Sequence, residues 1–473
     1  DDMRAAFLES GPAAIAALES SSEVRFVAAT AHPDYLDGPG AAYGGRALAP
    51  IEFDGRLLGA DFERVRPPRA VFMGLGGMMV GRVELGALLN PVGSFDNLRT
   101  TLRLVGRHLR DRLRHSRGTR LIMGNALVAR LFYSLRQRGV PVRFNSQLTD
   151  FIRDGENVIG ATIDTPEGRK TIRARRGVVL ATGGIAWNGA LRKALFPAQV
   201  APYSQAPQGN TGDGISLAFE KLGAKLDNGH DSAGLWMPCS FLKNSDGTDS
   251  IWPHILLDRA KPGLIAIGPD GRRFVNEADS YHDFCTGMIQ AGHQEAWLLA
   301  DARFVSKYGL GLVLPGGWGL GRLLRAGYLV KGTSLDDLAR RIGVNAGNLT
   351  EAVRRNNTFA QTGTDEDFGR GGSVVNRFNV DPDAKPNPCL GAIETAPFFA
   401  LKVRPVDLAG SAGLLSTVHG NVLDQQGRAI NGLYVCGNDA ASIFRGTYPG
   451  PGTTIGPGMV FGWRVARHAA GKP

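Results

Sequence analysis

The feature that most constrains this chain is the density of glycine in its last forty residues, from Gly432 to Gly471. An apolar run, Leu433-Tyr434-Val435-Cys436, passes into Gly437-Asn438-Asp439 and then into Tyr448-Pro449-Gly450-Pro451-Gly452. Thr453-Thr454-Ile455-Gly456-Pro457-Gly458 follows, before a helix predicted from about Met459 to Ala470. Glycine lets a backbone approach a flat or anionic ligand closely, and a helix start beside it aims free N–H groups at that ligand. The whole chain holds 64 glycines in 473 residues, roughly twice ordinary usage, which favours tight βα turns over a helical bundle.

At this length a chain buries a substantial core and holds two domains, or one with a large insertion. The four cysteines, Cys239, Cys285, Cys389 and Cys436, lie far apart with no C-x-x-C pair. That argues against a disulfide framework or a zinc site and makes a reducing, cytoplasmic compartment the expectation. No apolar run reaches transmembrane length and no signal peptide is recognisable. The formal charge of +10 is concentrated in part between Arg99 and Arg120, where arginines alternate with Leu102, Leu104, Val105, Leu109 and Leu113. On a helix this is either a solvated face packed on its leucines or a docking face for anionic lipid, a peripheral membrane contact. Nucleic acid is not an expected partner, because the basic residues lack interleaved aromatics.

Residues 1–22 read as a helix with Phe7, Leu8, Ile15 and Leu18 on one side, and a second helix is predicted over 124–139. Short strands follow at Val140–Asn145, Leu148–Arg153, Val158–Asp164 and Arg169–Arg173. The run Val178-Val179-Leu180 then ends in Ala181-Thr182-Gly183-Gly184, as a parallel-sheet strand does where a ligand sits. Residues 231–400 differ in texture, with more Trp and Pro, a helix over Ser334–Ile342 capped by Ser334, and another over Asn348–Gln361. They read as an inserted block between two strand–glycine segments, 1–230 and 401–473. The cluster from Val71 to Gly81 superficially suggests a dinucleotide turn, but no strand with an acidic end follows it, so a loop or a cavity wall is the better reading.

Val158–Asp164, Val178–Gly184, Asn210-Thr211-Gly212-Asp213-Gly214, Gly271–Glu277 and the Gly432–Gly462 tail together resemble the fumarate reductase / 3-ketosteroid dehydrogenase flavoprotein superfamily. Within it, Asn276-Glu277-x-x-x-Tyr281 and Tyr448-Pro449-Gly450-Pro451-Gly452 are most similar to the 3-ketosteroid Δ1-dehydrogenases, and Pro33-Asp34-Tyr35 fits more loosely. The resemblance implies an α/β fold. A parallel-sheet FAD-binding domain would comprise 1–230 and 401–473, and an α+β substrate or cap domain would be inserted at 231–400. No G-x-G-x-x-G unit precedes Asp1, so the expectation is an FAD domain incomplete at its N-terminus. That unit would be supplied by another segment or chain, and this chain alone would bind FAD weakly. The run Gly410-Ser411-Ala412-Gly413-Leu414 is poorer in glycine than in relatives and leaves substrate identity open.

By resemblance, the Tyr448 hydroxyl and the Gly452 N–H form an oxyanion hole for a ketone oxygen, and Tyr281 is the base that removes the α-proton, with Tyr35 beside it. Acidic neighbours from Asp279 to Asp283 would raise a tyrosine pKa, so a positive field must come from elsewhere. Flavin contacts are expected from Ala181, Thr182, Gly183 and Gly184, from Gly437, Asn438 and Asp439, and from the amides of Thr454, Ile455 and Gly456. The implied activity takes a steroid-like ketone and passes electrons to an acceptor such as a quinone. The alternatives are a fumarate- or urocanate-type reductase, which needs a cationic clamp for carboxylates, and a non-catalytic or incomplete flavoprotein subunit.

Overall fold

A computed structural model describes residues 1–69, 73–228, 231–244, 246–255 and 258–472. The chain divides into two compact units. One comprises Asp1–Gly11, His32–Gly44 and Asn145–Pro473, and the other Pro12–Ala31 and Gly45–Phe144. The second unit falls within the segment 1–230, and residues 229 and 230, beside the expected boundary, lie outside the described residues.

The larger unit is organised by a six-stranded sheet. Its strands run in the order Asp249–Pro253, Gly234–Lys243, Phe398–Gly410, Ala296–Asp301 and Leu264–Ile267, and Leu329–Gly332 also pairs with Phe398–Gly410. Successive side chains of a strand point to opposite faces, and here both faces are buried. Leu264, Ala266, Leu298, Ala300, Leu401 and Val403 meet Phe284, Cys285 and Met288 of the helix Tyr281–Gln290. On the other face, Ile265, Ile267, Leu299 and Ala400 meet Leu338, Leu349 and Val353 of two further helices. Those helices, Leu335–Ile342 and Ala346–Thr362, start where Ser334 and Asn345 accept from the N–H groups of Asp337 and Asn348. The first matches its sequence expectation, and the second begins two residues earlier.

The α/β class holds, but the sheets are mainly antiparallel. Among the described residues the only parallel strand pair is Val178–Leu180 with Leu433–Val435. Asn421–Leu423 then closes that sheet in the antiparallel sense. The strands Gln147–Asp154, Asn157–Thr165 and Gly168–Arg173 form a separate antiparallel sheet. Val140–Asn145 is not a strand. Its alternating Val140, Val142 and Phe144 are exposed, residues 140–145 enter no strand pairing among the described residues, and Pro141 removes a donor a ladder would need. The last helix spans Ile455–Ala469, four residues earlier than expected. Proline is tolerated in a first turn, whose N–H groups have no intrahelical partner. Leu8, placed on the packed side of the first helix, is 72% exposed, whereas Phe7 meets Phe444 edge-on.

In the smaller unit, Phe53, Leu58, Phe62, Met79, Leu121 and Ala126 form a core beneath the helix Met123–Gln137. Arg117 lies over the Phe62 ring at 4.1 Å and donates to the carbonyls of Phe62 and Val65. The glycine cluster expected as a loop is a tight hairpin, Met73–Gly74 with Met78–Met79, while Ala70, Val71 and Phe72 lie outside the described residues. The arginine-rich helix, Phe95–Arg112, buries Leu104 but leaves Leu102, Leu109 and Leu113 exposed, so it is not packed on its leucines.

Candidate active site

Three tyrosines separated by hundreds of residues meet in the larger unit. Tyr281 is the first residue of its helix and is held in place from behind. Glu277, fully buried, pairs with Arg273 at 2.8 Å and Arg370 at 3.2 Å and accepts from the Ala266 N–H. Burial alone would raise the Glu277 pKa, but the two guanidiniums hold it below the ordinary carboxylate value. Thus Asn276-Glu277 anchors the loop that delivers Tyr281. Tyr35 is fixed by its own N–H donating to Pro449 O at 2.7 Å, one residue beyond Tyr448.

The Tyr281 hydroxyl donates to Tyr448 Oη at 2.8 Å. The Tyr35 ring stands edge-on to Tyr281, with centroids 5.5 Å apart, and stacks on Tyr448 at 5.9 Å. Leu235, Val375 and Ala409, with Met237, Ile255 and Leu408, make the surrounding wall apolar. Burial raises all three phenol pKa values. Tyr35 is pushed up to about 12, and Tyr281 well above its ordinary value by burial and its two tyrosine neighbours. The neighbouring carboxylates are not the dominant cause, contrary to the sequence expectation. Asp279 is itself pushed up to about 6, mainly by burial.

A positive charge that sequence reasoning missed, Arg259, reaches Tyr35 but is not among the influences on Tyr281. Its guanidinium is fully buried and donates to the carbonyls of His254, Glu277 and Asp279. It opposes the burial that raises Tyr35. Gly452, four residues past Tyr448, has φ +96°, a backbone region that favours glycine. A Cβ there would meet nothing within 4 Å. Its N–H has no acceptor among the described residues.

The expected cofactor segments also converge. Asp439, fully buried, accepts from the N–H of Thr182, from Thr182 Oγ1 at 2.8 Å and from the Gly184 N–H at 2.8 Å. Its carboxylate therefore fastens the Ala181–Gly184 turn, next to Asn438 and Ala440, which line the cleft. A Cβ on Gly184 would lie 2.8 Å from Asn438 O, so only glycine permits this approach. A cleft open to solvent is lined by Gly437, Asn438, Ser442, Thr453, Thr454 and Pro457, among others. The final helix starts there with no side-chain cap. Its Gly456 N–H is taken by Gly452 O at 2.8 Å, which leaves Thr454 and Ile455 as the amides without a protein acceptor among the described residues. Ser411 Oγ, fully buried beside cleft-lining Gly410, has no hydrogen-bond partner among the described residues. An uncapped helix start, an orphaned hydroxyl and a glycine-built cleft fit a flavin with an anionic, hydrogen-bonding edge.

Such a cradle beside buried phenols defines a flavin-dependent oxidoreductase. Residues 1–455 match the family described as FAD binding domain, and the chain belongs to that family. It is 34% identical to the 4-oxocyclohex-2-ene-1-carboxylate 5-dehydrogenase of Sinomonas cyclohexanicum, over 98% of this chain and 80% of that protein. It is 35% identical to the 3-oxosteroid 1-dehydrogenase of Mycobacterium tuberculosis, over 98% of this chain and 83% of that protein. The structure of 3-ketosteroid Δ1-dehydrogenase from Sterolibacterium denitrificans with 1,4-androstadiene-3,17-dione superposes with a TM-score of 0.90. It is 32% identical and covers all of this chain and 86% of that one.

Proposed function

We propose that the chain dehydrogenates the carbon–carbon bond beside a ring ketone of a 3-ketosteroid, removing an α-proton and a β-hydride. The hydrogen bond between Tyr281 and Tyr448 inside an apolar wall carries this reading, because both phenols then address one carbonyl-bearing ring. Tyr448 Oη and the Gly452 N–H hold the ketone oxygen as charge builds on it. Tyr281 removes the α-proton, and Tyr35 packs against both rings to fix their angle. Bound FAD supplies the hydride acceptor, with Ala181–Gly184, Gly437, Asn438, Ser411 and the amides of Thr454 and Ile455 as the residues that would hold it. A quinone is the proposed acceptor of the electrons.

The wall and the arginines support a steroid over a carboxylated ring or a dicarboxylate. Arg192 is committed to Asp407, Arg273 to Glu277 and Asp365, and Arg370 to Glu277 and backbone carbonyls. Arg259 is committed to carbonyls as well, so none of these four buried or near-buried cations is left for a substrate carboxylate. Mixing the flavin-loaded protein without oxygen with a 3-ketosteroid, a 4-oxocyclohexane carboxylate or succinate tests this. Flavin bleaching should be fast only with the steroid, and fast bleaching by either acid alone would overturn the substrate assignment.

A further inference from the structure

We propose that the helical hairpin of residues 82–113 is a docking surface for an anionic lipid bilayer. The helix Phe95–Arg112 begins where Ser94 Oγ accepts from the Asn97 N–H at 3.1 Å. With about 100° per residue, Phe95, Leu98, Leu102, Leu109 and Leu113 fall within roughly 60° of one another. Their exposures are 79, 39, 64, 61 and 82%. The opposite side is the one that packs, and its contacts are largely polar. His108 Nε2 meets Leu75 O at 2.9 Å, and the buried Asp111 carboxylate accepts from Thr119 N and Oγ1 at 2.9 and 2.8 Å. A water-facing helix of a soluble protein has the reverse arrangement. The neighbouring helix Arg82–Leu89, joined through Thr101 Oγ1 donating to Ala87 O, exposes Leu85 and Leu89, and the turn between exposes Val92 at 84%.

Charge identifies the occupant. Residues 82–120 carry nine arginines against Glu84, Asp96 and Asp111. Arg107, Arg117 and Arg120 are held by acidic partners. Arg99, Arg103, Arg110, Arg112 and Arg114 are exposed and make no ion pair among the described residues. By helical angle, Arg99, Arg103, Arg110 and Arg114 line one flank of the apolar stripe and Arg112 the other. A second copy of this chain would bring like charges together. An anionic bilayer satisfies both the stripe and its flanks, the two signals that peripheral anchoring requires.

The test is cosedimentation of the full flavin-loaded chain with vesicles of phosphatidylcholine, with and without phosphatidylglycerol, over a range of salt. Binding should need phosphatidylglycerol and weaken with salt. Each arginine near such a surface contributes about fivefold, so Arg99→Gln/Arg103→Gln/Arg110→Gln should weaken binding roughly a hundredfold. Leu102→Ser/Leu109→Ser/Leu113→Ser alters only exposed positions, and it should abolish the salt-resistant part of binding while leaving steroid turnover in detergent unchanged. Equal binding to both vesicle types, or unweakened binding by the arginine variant, would overturn the proposal. So would a dimer that the leucine variant converts to monomer with no effect on vesicles.

Discussion

The Tyr281 hydroxyl donates a hydrogen bond to Tyr448 Oη across 2.8 Å, and the direction of that bond makes two chemically identical groups unequal. Burial raises both pKa values, but accepting the bond counteracts the rise at Tyr448, whereas donating it adds to the rise at Tyr281. Tyr448 is therefore the readier donor to a ketone oxygen. Tyr281, once deprotonated, is the stronger proton acceptor.

Tyr448→Phe should lower the rate of flavin reduction by about 10²–10³ while flavin content stays nearly constant, since one oxyanion donor is lost. Tyr281→Phe should be at least as damaging and should also stop exchange of the substrate α-proton with deuterated solvent. Stopped-flow absorbance and mass spectrometry of recovered substrate report the two effects separately. Unchanged flavin reduction in both variants would remove the tyrosines from the chemistry.

The rate of flavin reduction should climb between pH 7 and 10. With Tyr35 near 12 and Tyr281 also raised, the phenolate fraction grows about tenfold per pH unit throughout that window. Tyr281→Phe should flatten the profile. A flat profile in the unsubstituted protein would assign the base to another group.

Asp439→Ala should act on the cofactor and not on the chemistry. It strips acceptors from the Thr182 and Gly184 N–H groups, each costing about 1–3 kcal/mol if left unsatisfied in the fold. The expected result is flavin loss, read from the ratio of visible to protein absorbance, with near-normal turnover per bound flavin.

His282 should make the fold acid-sensitive. It is buried, accepts from the Trp236 N–H at 3.1 Å, and burial lowers its pKa from 6.5 to about 4. The unfolded chain takes up a proton near 6.5 and the native one only near 4, so stability is complete above 6.5 and falls as pH drops toward 4. The loss is at most about 3 kcal/mol. Asp279, raised to about 6, works in the opposite sense. Comparing the change in Tm between pH 7 and 5 in the unsubstituted protein and in His282→Asn isolates the histidine, because Asp279 contributes to both. The drop should be smaller in His282→Asn than in the unsubstituted protein.

Local chemistry was legible in the sequence. Ser334 announces its helix because capping is a matter of three residues. Val178–Leu180 announces its strand because a short β-branched, apolar run that stops at paired glycines suits a sheet and is too brief for a helix. The meeting of Tyr35, Tyr281 and Tyr448 was visible only through resemblance, since no spacing rule connects residues so far apart. Arg259 was hidden because nothing in one arginine among many signals a buried guanidinium bonded to carbonyls. Val140–Asn145 shows the reverse error, since alternation describes a strand only where a neighbour supplies its hydrogen bonds. The early start of the last helix was masked by Gly456-Pro457-Gly458, poor helix formers that a first turn accommodates.

The strand Phe398–Gly410 works as a ruler shared by two parts of the site. Its first half is registered against Ala296–Asp301 and Leu329–Gly332, its second half against Gly234–Lys243, and it ends beside Ser411 and the cleft. Removing a single residue near Arg404 would exchange the two faces from there to the bulge at Leu408, where Leu235 opposes Ala409 and Trp236 opposes Asp407. Leu408 and Ala409 would be displaced at the tyrosine wall, and Ser411 would be drawn away from the cleft. The spacing between the tyrosine wall and the glycine-lined cleft is thus written into the length of one strand and the placement of its bulge. Evolution can change side chains along it far more easily than it can change their number.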